Sequence, residues 1–348
     1  MATAVMTTSA RSVRYWLAVH PDVSRPIGGV KQIHRLAEAL GACGREATLI
    51  QQQQDFHPGW FRSEVTTTSV AAFRSRTDLD PTRDVLILPE TFLPDLLSYA
   101  PGLPKILFNQ NGAYSFGLGS GRRFPPPQEV LALYRHPELL HVLCVSEQNQ
   151  QLFTRGFGLG EARVSRLVNG IEAELFQPAA RKHRQVALMS RKNGADAEVV
   201  MQLLRAQPWW RDGGWKLAVI QNLPQQQVAA VLGESLVFLS FGHPEGFGLP
   251  VAEALASACA VAGYSGLGGR ELFQLAADHS IGVEVAYGDW LGFVDAVAAF
   301  HRSLSKQGEE VAEALQQASD TVRQRYSAAA MQASVASAMA RWEAQLGC

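Results

Sequence analysis

The chain has 348 residues, 47% of them hydrophobic and 18% charged, which is enough apolar material for two buried cores and too much for a disordered chain. The net charge is −1, and residues 1–180 carry 17 Lys and Arg against 16 Asp and Glu, residues 181–348 carry 14 against 16. Neither half is basic enough for nucleic-acid binding as a main role.

The first segment, MATAVMTTSARS, has neither a charged start nor a long apolar stretch and does not read as a signal peptide. Tyr15–Val19 reads as a strand, and Gly28-Gly29 leads into a helix with Val30, Ile33, Leu36, Ala37 and Leu40 at helical spacing. Further strands are expected at Ala47–Ile50, Val85–Leu88, Ile106–Phe108, Val142–Val145 and Val164–Leu167, with a helix at Glu147–Arg155. Gln51–Gln54 is a polar strand-end loop, and Pro125–Pro127 a stiff loop before a helix. The polar, aperiodic stretch Pro178–His183 marks a hinge. Beyond it the pattern repeats, with strands at Gln185–Met189, Lys216–Ile220, Leu236–Leu239, Ala260–Ala262 and Gly282–Val285. Helices fall between them at Ala195–Ala206 and Gln225–Leu232. Helical patterns over Asp289–Leu304, Glu309–Arg323 and Ser327–Gln345 close the chain. Strands alternating with helices predict parallel sheets with crossover helices, so the expectation is two Rossmann-like domains facing across a cleft. Ligands of such sheets bind beyond the carboxyl ends of the strands, where a cleft ligand meets both domains.

Cys43, Cys144, Cys259 and Cys348 lack metal-site or disulfide spacing. Cys144 and Cys259 lie in apolar runs as buried thiols, and Cys348 is the last residue. This usage fits a reducing compartment and a cytoplasmic protein. No segment approaches the roughly 20 apolar residues of a membrane span, which leaves room for peripheral membrane contact alone. Asp78-Leu79-Asp80 has metal-like spacing but lies in a polar loop, and His20, His34, His57, His136 and His141 show no ligand spacing.

The most informative pair is Glu245 and Glu253, eight positions apart in FGHPEGFGLPVAEALA. The first falls in a strand-to-helix loop and the second on the helix that follows, so two carboxylates can reach two parts of one ligand. Glutamates near helix starts also occur simply because they suit the helix dipole. Gly246-Phe247-Gly248 between them lets backbone amides approach an anion at the helix N-terminus. Gly28-Gly29 after the first strand reads either as a tight turn or as amides presented to a phosphate. Asn109-Gln110-Asn111-Gly112 follows a strand; its amides can bond sugar hydroxyls, or it is an Asn-Gly turn. Ser190-Arg191-Lys192-Asn193-Gly194 offers a guanidinium fork and a point charge, or a solvated charge pair. Gly266-Leu267-Gly268-Gly269 is a Gly-rich turn before a helix, with Arg270 and Glu271 as its first-turn surface residues.

These motifs together resemble the retaining GT-B glycosyltransferases of the large family numbered four, most strongly over residues 141–275. The resemblance implies a GT-B fold with domains 1–178 and 179–326, and a terminal helix, 327–348, crossing back onto the first domain. Val168-Asn169-Gly170-Ile171-Glu172 matches the stretch that leads into the linker. By the same resemblance, Glu245 holds donor-sugar hydroxyls, Glu253 holds the ribose, and Arg191 and Lys192 grip the diphosphate. Gly28, Gly29, Gly246, Phe247, Gly248 and Leu249 form the donor site, while Asn109 and Asn111 lie on the acceptor side. Many relatives carry a histidine where this chain has Asn or Gln, and neither amide can act as an acid or base. Many also separate the Arg and Lys that are adjacent here. The implied reaction moves a sugar from a nucleoside-diphosphate sugar to a carbohydrate, glycolipid or glycoprotein hydroxyl, with neither metal nor cofactor. Epimerase or hydrolase chemistry on the same fold, and a non-catalytic nucleotide-binding scaffold, are the alternatives.

Overall fold

The computed structural model describes residues 12–118 and 122–346. Residues up to 11, which hold nearly all of MATAVMTTSARS, and Cys348 lie outside the described residues. Seven strands form one parallel sheet: β1 (Arg14–Ala18), β2 (Glu46–Gln51), β3 (Thr67–Ser69), β4 (Asp84–Pro89), β5 (Lys105–Asn109), β6 (Leu139–Cys144) and β7 (Val164–Arg166), in the order β3-β2-β1-β4-β5-β6-β7. Five more form a second: β8 (His183–Met189), β9 (Lys216–Val219), β10 (Ser235–Ser240), β11 (Ala260–Gly263) and β12 (Gly282–Glu284), in the order β12-β11-β10-β8-β9. β4 is buried along its whole length, as a strand covered by helices on both faces must be. The chain passes between the sheets through residues 167–182. This is the GT-B arrangement expected from the sequence.

Strand order fixes where a ligand can sit. In each sheet the crevice lies where the order reverses: between β1 and β4 in the first, and between β8 and β10 in the second. The loops leaving these strands carry Gly28-Gly29, Glu90, Arg191-Lys192 and Glu245.

The last helix, Ala328–Leu346, returns to the first domain. There the Trp342 indole donates to the Tyr15 hydroxyl (2.7 Å), Tyr15 donates to Glu343 (2.7 Å), and Arg45 pairs with Glu343 (2.8 Å). Ser334 accepts from the Val168 amide at the start of the linker. Trp342 is fully buried, so this docking is a true core contact.

Several details depart from the sequence reading, among them the unexpected short helices Val70–Arg74 and Pro208–Asp212. The Thr67–Ser69 edge strand was not expected, because its polar residues carry no alternation. The helix expected over Glu147–Arg155 is α-helical only to Gln151 and continues as a π-helical turn over Leu152–Gly156. Cys144 and Cys259 are both buried, and burial pushes the Cys144 thiol up to about 12. Asp78 pairs with Arg14 and Arg76, while Asp80 accepts from Thr82, so this carboxylate pair has structural partners.

Candidate active site

β10 ends at Ser240, and the chain then turns through Phe241–Gly248 into the helix Leu249–Ala256. Gly248 caps that helix in the left-handed region, with φ of +91°, a conformation that favours glycine. Gly246 is forced for a different reason. A Cβ there would lie 1.7 Å from the Gln110 carbonyl oxygen, across the interface on the other domain. Phe247 is buried, its ring 5.0 Å from that of Tyr326.

The Gly-rich turn Gly266–Gly269 braces Glu245 from beneath. The Glu245 amide donates to the Gly266 carbonyl (2.8 Å), and the Gly268 amide donates to the Glu245 carbonyl (3.1 Å). A Cβ on Gly268 would meet the Gly246 carbonyl at 2.1 Å. The Glu245 side chain is partly open and pairs with Lys192 at 2.9 Å. Lys192 Nζ also donates to the Pro244 carbonyl (2.6 Å) and lies 5.7 Å from the centre of the Tyr114 ring. Asn193 pins the same loop by donating to the carbonyls of Phe241 (2.8 Å) and His243 (3.0 Å). Arg191 is exposed and has no ion pair among the described residues. The two adjacent cations therefore point to different places, as neighbours leaving a strand do.

From the first domain, Gly28 and Gly29 open the helix Gly28–Ala42, whose N-cap Ile27 supplies no side-chain cap. First-turn amides of a helix have no intrahelical partner, which suits them to an anion. A Cβ on Gly28 would sit 2.9 Å from Leu249, and one on Gly29 3.3 Å from the Gln110 side chain. The glycine pair and the Gly246–Leu249 turn thus meet face to face. Gln110 donates to the Gly29 carbonyl (3.1 Å), and Asn111 donates to the Pro244 carbonyl (3.3 Å). Asn109 is different: it is fully buried, donating to Ser115 (2.8 Å) and Tyr134 (3.2 Å) and accepting from Asn149 (3.5 Å). Of the two asparagines expected on the acceptor side, only Asn111 reaches the domain interface, with Gln110 beside it. Asn109 is the last residue of β5 and stays in the core, whereas Asn111 lies beyond the strand, where the chain has already turned to cap the Gly112–Phe116 turn.

Glu253 is buried. Its Oε1 accepts from Lys31 Nζ at 3.0 Å, and Lys31, 2% exposed, also reaches Glu172 Oε2 at 2.9 Å. Glu172 further accepts from Arg35 (2.8 Å) and Gln225 (2.6 Å). Burial pushes the Glu253 carboxyl above its ordinary value, and Glu172 adds to that while Lys31 opposes it. Burial alone would pull Lys31 down, but Glu253 and Glu172 carry it above the usual lysine value. The lysine therefore stays charged.

Three residues of this region escaped the sequence reading. Lys31 lies among the apolar residues of an amphipathic helix, and a lysine on that face was the available signal. Glu90 leaves β4 at the crevice, accepts from the Gln110 amide (3.0 Å), and has its carboxyl pushed up to about 7 by burial. Glu271, read as a surface residue, instead has a side chain only 5% exposed: it pairs with Arg166 and accepts from Tyr326 (2.9 Å) and the Glu147 amide (3.0 Å), bracing the domains. Arg270 is exposed, as read.

No family model matches the chain. Among curated proteins it is similar to an alpha-1,6-glucosyltransferase of Actinobacillus pleuropneumoniae serotype 7 (strain AP76), 25% identical over 215 residues. That match takes in 60% of this chain and 59% of the relative, so the chain spans about three-fifths of the relative's length. Among solved structures it resembles a sucrose-phosphate synthase from Thermosynechococcus elongatus, with a TM-score of 0.68, 14% identity, and coverage of 97% of this chain and 99% of the other. It also resembles Anabaena HepE in complex with UDP-glucose, with a TM-score of 0.65, 13% identity, and coverage of 94% and 99%. At these identities the solved structures establish the fold.

Proposed function

On this GT-B fold, we propose that the chain is a retaining glycosyltransferase, moving a sugar from a nucleoside-diphosphate sugar to an acceptor hydroxyl in polysaccharide or glycoconjugate synthesis. The observation that carries the reading is the Lys192–Glu245 pair, 2.9 Å apart and partly open, set beside the Gly246–Leu249 turn where both domains meet. The relative named a glucosyltransferase, and the neighbour solved with UDP-glucose, make UDP-glucose the first donor to test.

In this reading the diphosphate lies between the amides of Gly28-Gly29 and the helix opened by Gly248. Departure of the leaving group puts negative charge on the diphosphate, and fixed dipoles and cations aimed at developing charge lower the barrier. Lys192 is the nearest cation. Engaging the diphosphate draws it from Glu245, whose carboxylate then holds donor-sugar hydroxyls. Arg191 braces the loop or bridges to the same phosphates. Glu253 holds the ribose. Gln110 and Asn111 provide hydrogen bonds on the acceptor side but no acid or base. The bond from the sugar's anomeric carbon to the diphosphate breaks, and the acceptor oxygen attacks the short-lived oxocarbenium-like species from the same face. The acceptor proton passes to the leaving phosphate oxygen. No divalent ion is assigned a role, because Lys192, Arg191 and the amides supply the positive charge. No helix among the described residues is long and apolar enough to cross a membrane. We place the protein in the cytoplasm on its cysteine usage, with any membrane contact peripheral.

Thermal stabilisation by UDP, ADP and GDP tests the site, since a ligand of the native state raises apparent stability. Turnover of UDP-glucose with an oligosaccharide acceptor then tests the reaction, with anomeric configuration read by NMR. Sugar release or isomerisation without acceptor would move the reading to a hydrolase or epimerase. Nucleotide binding with no turnover across a donor and acceptor panel would make the chain a scaffold.

A further inference from the structure

Glu253 makes one side-chain hydrogen bond among the described residues, from Lys31 to Oε1. Its other oxygen, Oε2, has no partner among them yet is not one of the side-chain oxygens sealed from solvent. Lys31 belongs to the first domain, on the helix that begins at Gly28-Gly29, whereas Glu253 belongs to the second. One carboxylate oxygen is thus fixed from across the interface and the other left open. We propose that Lys31 is a positioning residue of the nucleotide site, anchoring Oε1 of Glu253 so that Oε2 accepts from the ribose hydroxyls. This rests on the nucleotide-sugar reading above.

The surroundings favour this arrangement over a plain domain clamp. A clamp needs a buried lysine and one carboxylate. Here the lysine has two, and Glu172 alone satisfies Arg35, Gln225 and one donor of Lys31. The charged groups facing Glu253 are Lys31 from the Gly28–Ala42 helix and Glu172 from the linker, while Arg35 and the neutral Gln225 meet Glu172. Without Lys31, Glu253 would face burial and the Glu172 charge with no direct cation and would take up a proton. A protonated carboxyl accepts poorly from a ribose hydroxyl. Because Lys31 reaches Glu253 only when the domains touch, ribose recognition is also tied to closure.

The test is calorimetry on the full chain, using whichever of UDP, ADP and GDP stabilises the wild type most, together with its 2′-deoxy counterpart. The wild type should prefer the ribose form by about tenfold, the scale of one charge-assisted hydrogen bond. In Lys31→Met and in Lys31→Gln that preference should shrink to less than about threefold near neutral pH and partly return as the pH is raised and Glu253 ionises. Lys31→Arg, which keeps a cation in place, should retain it. A clamp would weaken both nucleotides equally at every pH, so an unchanged preference in folded Lys31→Met or Lys31→Gln overturns the assignment. A wild type that binds none of the three diphosphates overturns the nucleotide-sugar reading itself, and this one with it.

Discussion

Two lysine–glutamate pairs flank the Gly246–Leu249 turn, alike in chemistry and opposite in setting. Lys31–Glu253 joins the domains at 3.0 Å, its side chains 2% and 10% exposed, within a network that includes Glu172, Arg35 and Gln225. Lys192–Glu245 lies within the second domain at 2.9 Å, its side chains 19% and 22% exposed. Breaking a desolvated, multiply bonded pair leaves charge without compensation, which is strongly destabilising. A pair that water can reach contributes little to stability, about 0–1 kcal/mol. The first arrangement is suited to holding a geometry, and the second to exchanging its partner for a ligand.

The comparison breaks first at Glu245. Glu245→Gln should cut turnover about 100-fold or more, on the scale of losing an aligned transition-state contact, while the urea midpoint scarcely moves. A large drop in the midpoint would make this pair structural like the other. Glu253→Ala should show a mixed loss. Nucleotide affinity should fall about tenfold or more, and stability by about 1.5–3 kcal/mol, because Lys31 keeps Glu172 but loses a charged partner. Unchanged affinity in calorimetry would remove Glu253 from the nucleotide site.

The adjacent cations sharpen the contrast further. Lys192→Ala should slow the reaction at saturating donor by about tenfold, and Arg191→Ala by less than about threefold, since only Lys192 points at the Glu245 loop. Equal and small losses would place the phosphate grip in the amides of Gly29, Gly248 and Gly269. The smallest expected effect is that of a chelator, which should leave turnover unchanged. If EDTA abolished activity and a divalent ion restored it, the charge-stabilisation account built on Lys192 would be wrong.

Much of this molecule was legible in its sequence because the signals were local. Alternating apolar strands and periodic helices gave two parallel sheets, and the strand ends then located Gly28-Gly29, Lys192 and Glu245. Gly246 and Gly248 stood out as a turn, but the sequence could not tell their reasons apart. Gly248 is set by its own φ, a local property, whereas Gly246 is set by the Gln110 carbonyl of the other domain. Asn109 and Asn111 looked alike in one motif, but β5 ends at the first, which stays in the core, and the chain has turned by the second, which reaches the other domain. Glu271 looked like a surface residue because Arg166, its partner, lies 105 positions away.

The sequence by itself determined the alternation of strands and helices that makes two parallel sheets, and with it the strand ends beside which a ligand sits; the returning helix was expected from the resemblance alone. The alternation follows from hydrophobic periodicity, which is written over short stretches of chain. Only the tertiary structure decided which charges meet. Lys31 and Glu253 are 222 positions apart, and Lys31 and Glu172 are 141 apart. No local pattern encodes such a meeting. It depends on two separately folded sheets presenting their switch points to one another, and on burial making that encounter strong enough to persist.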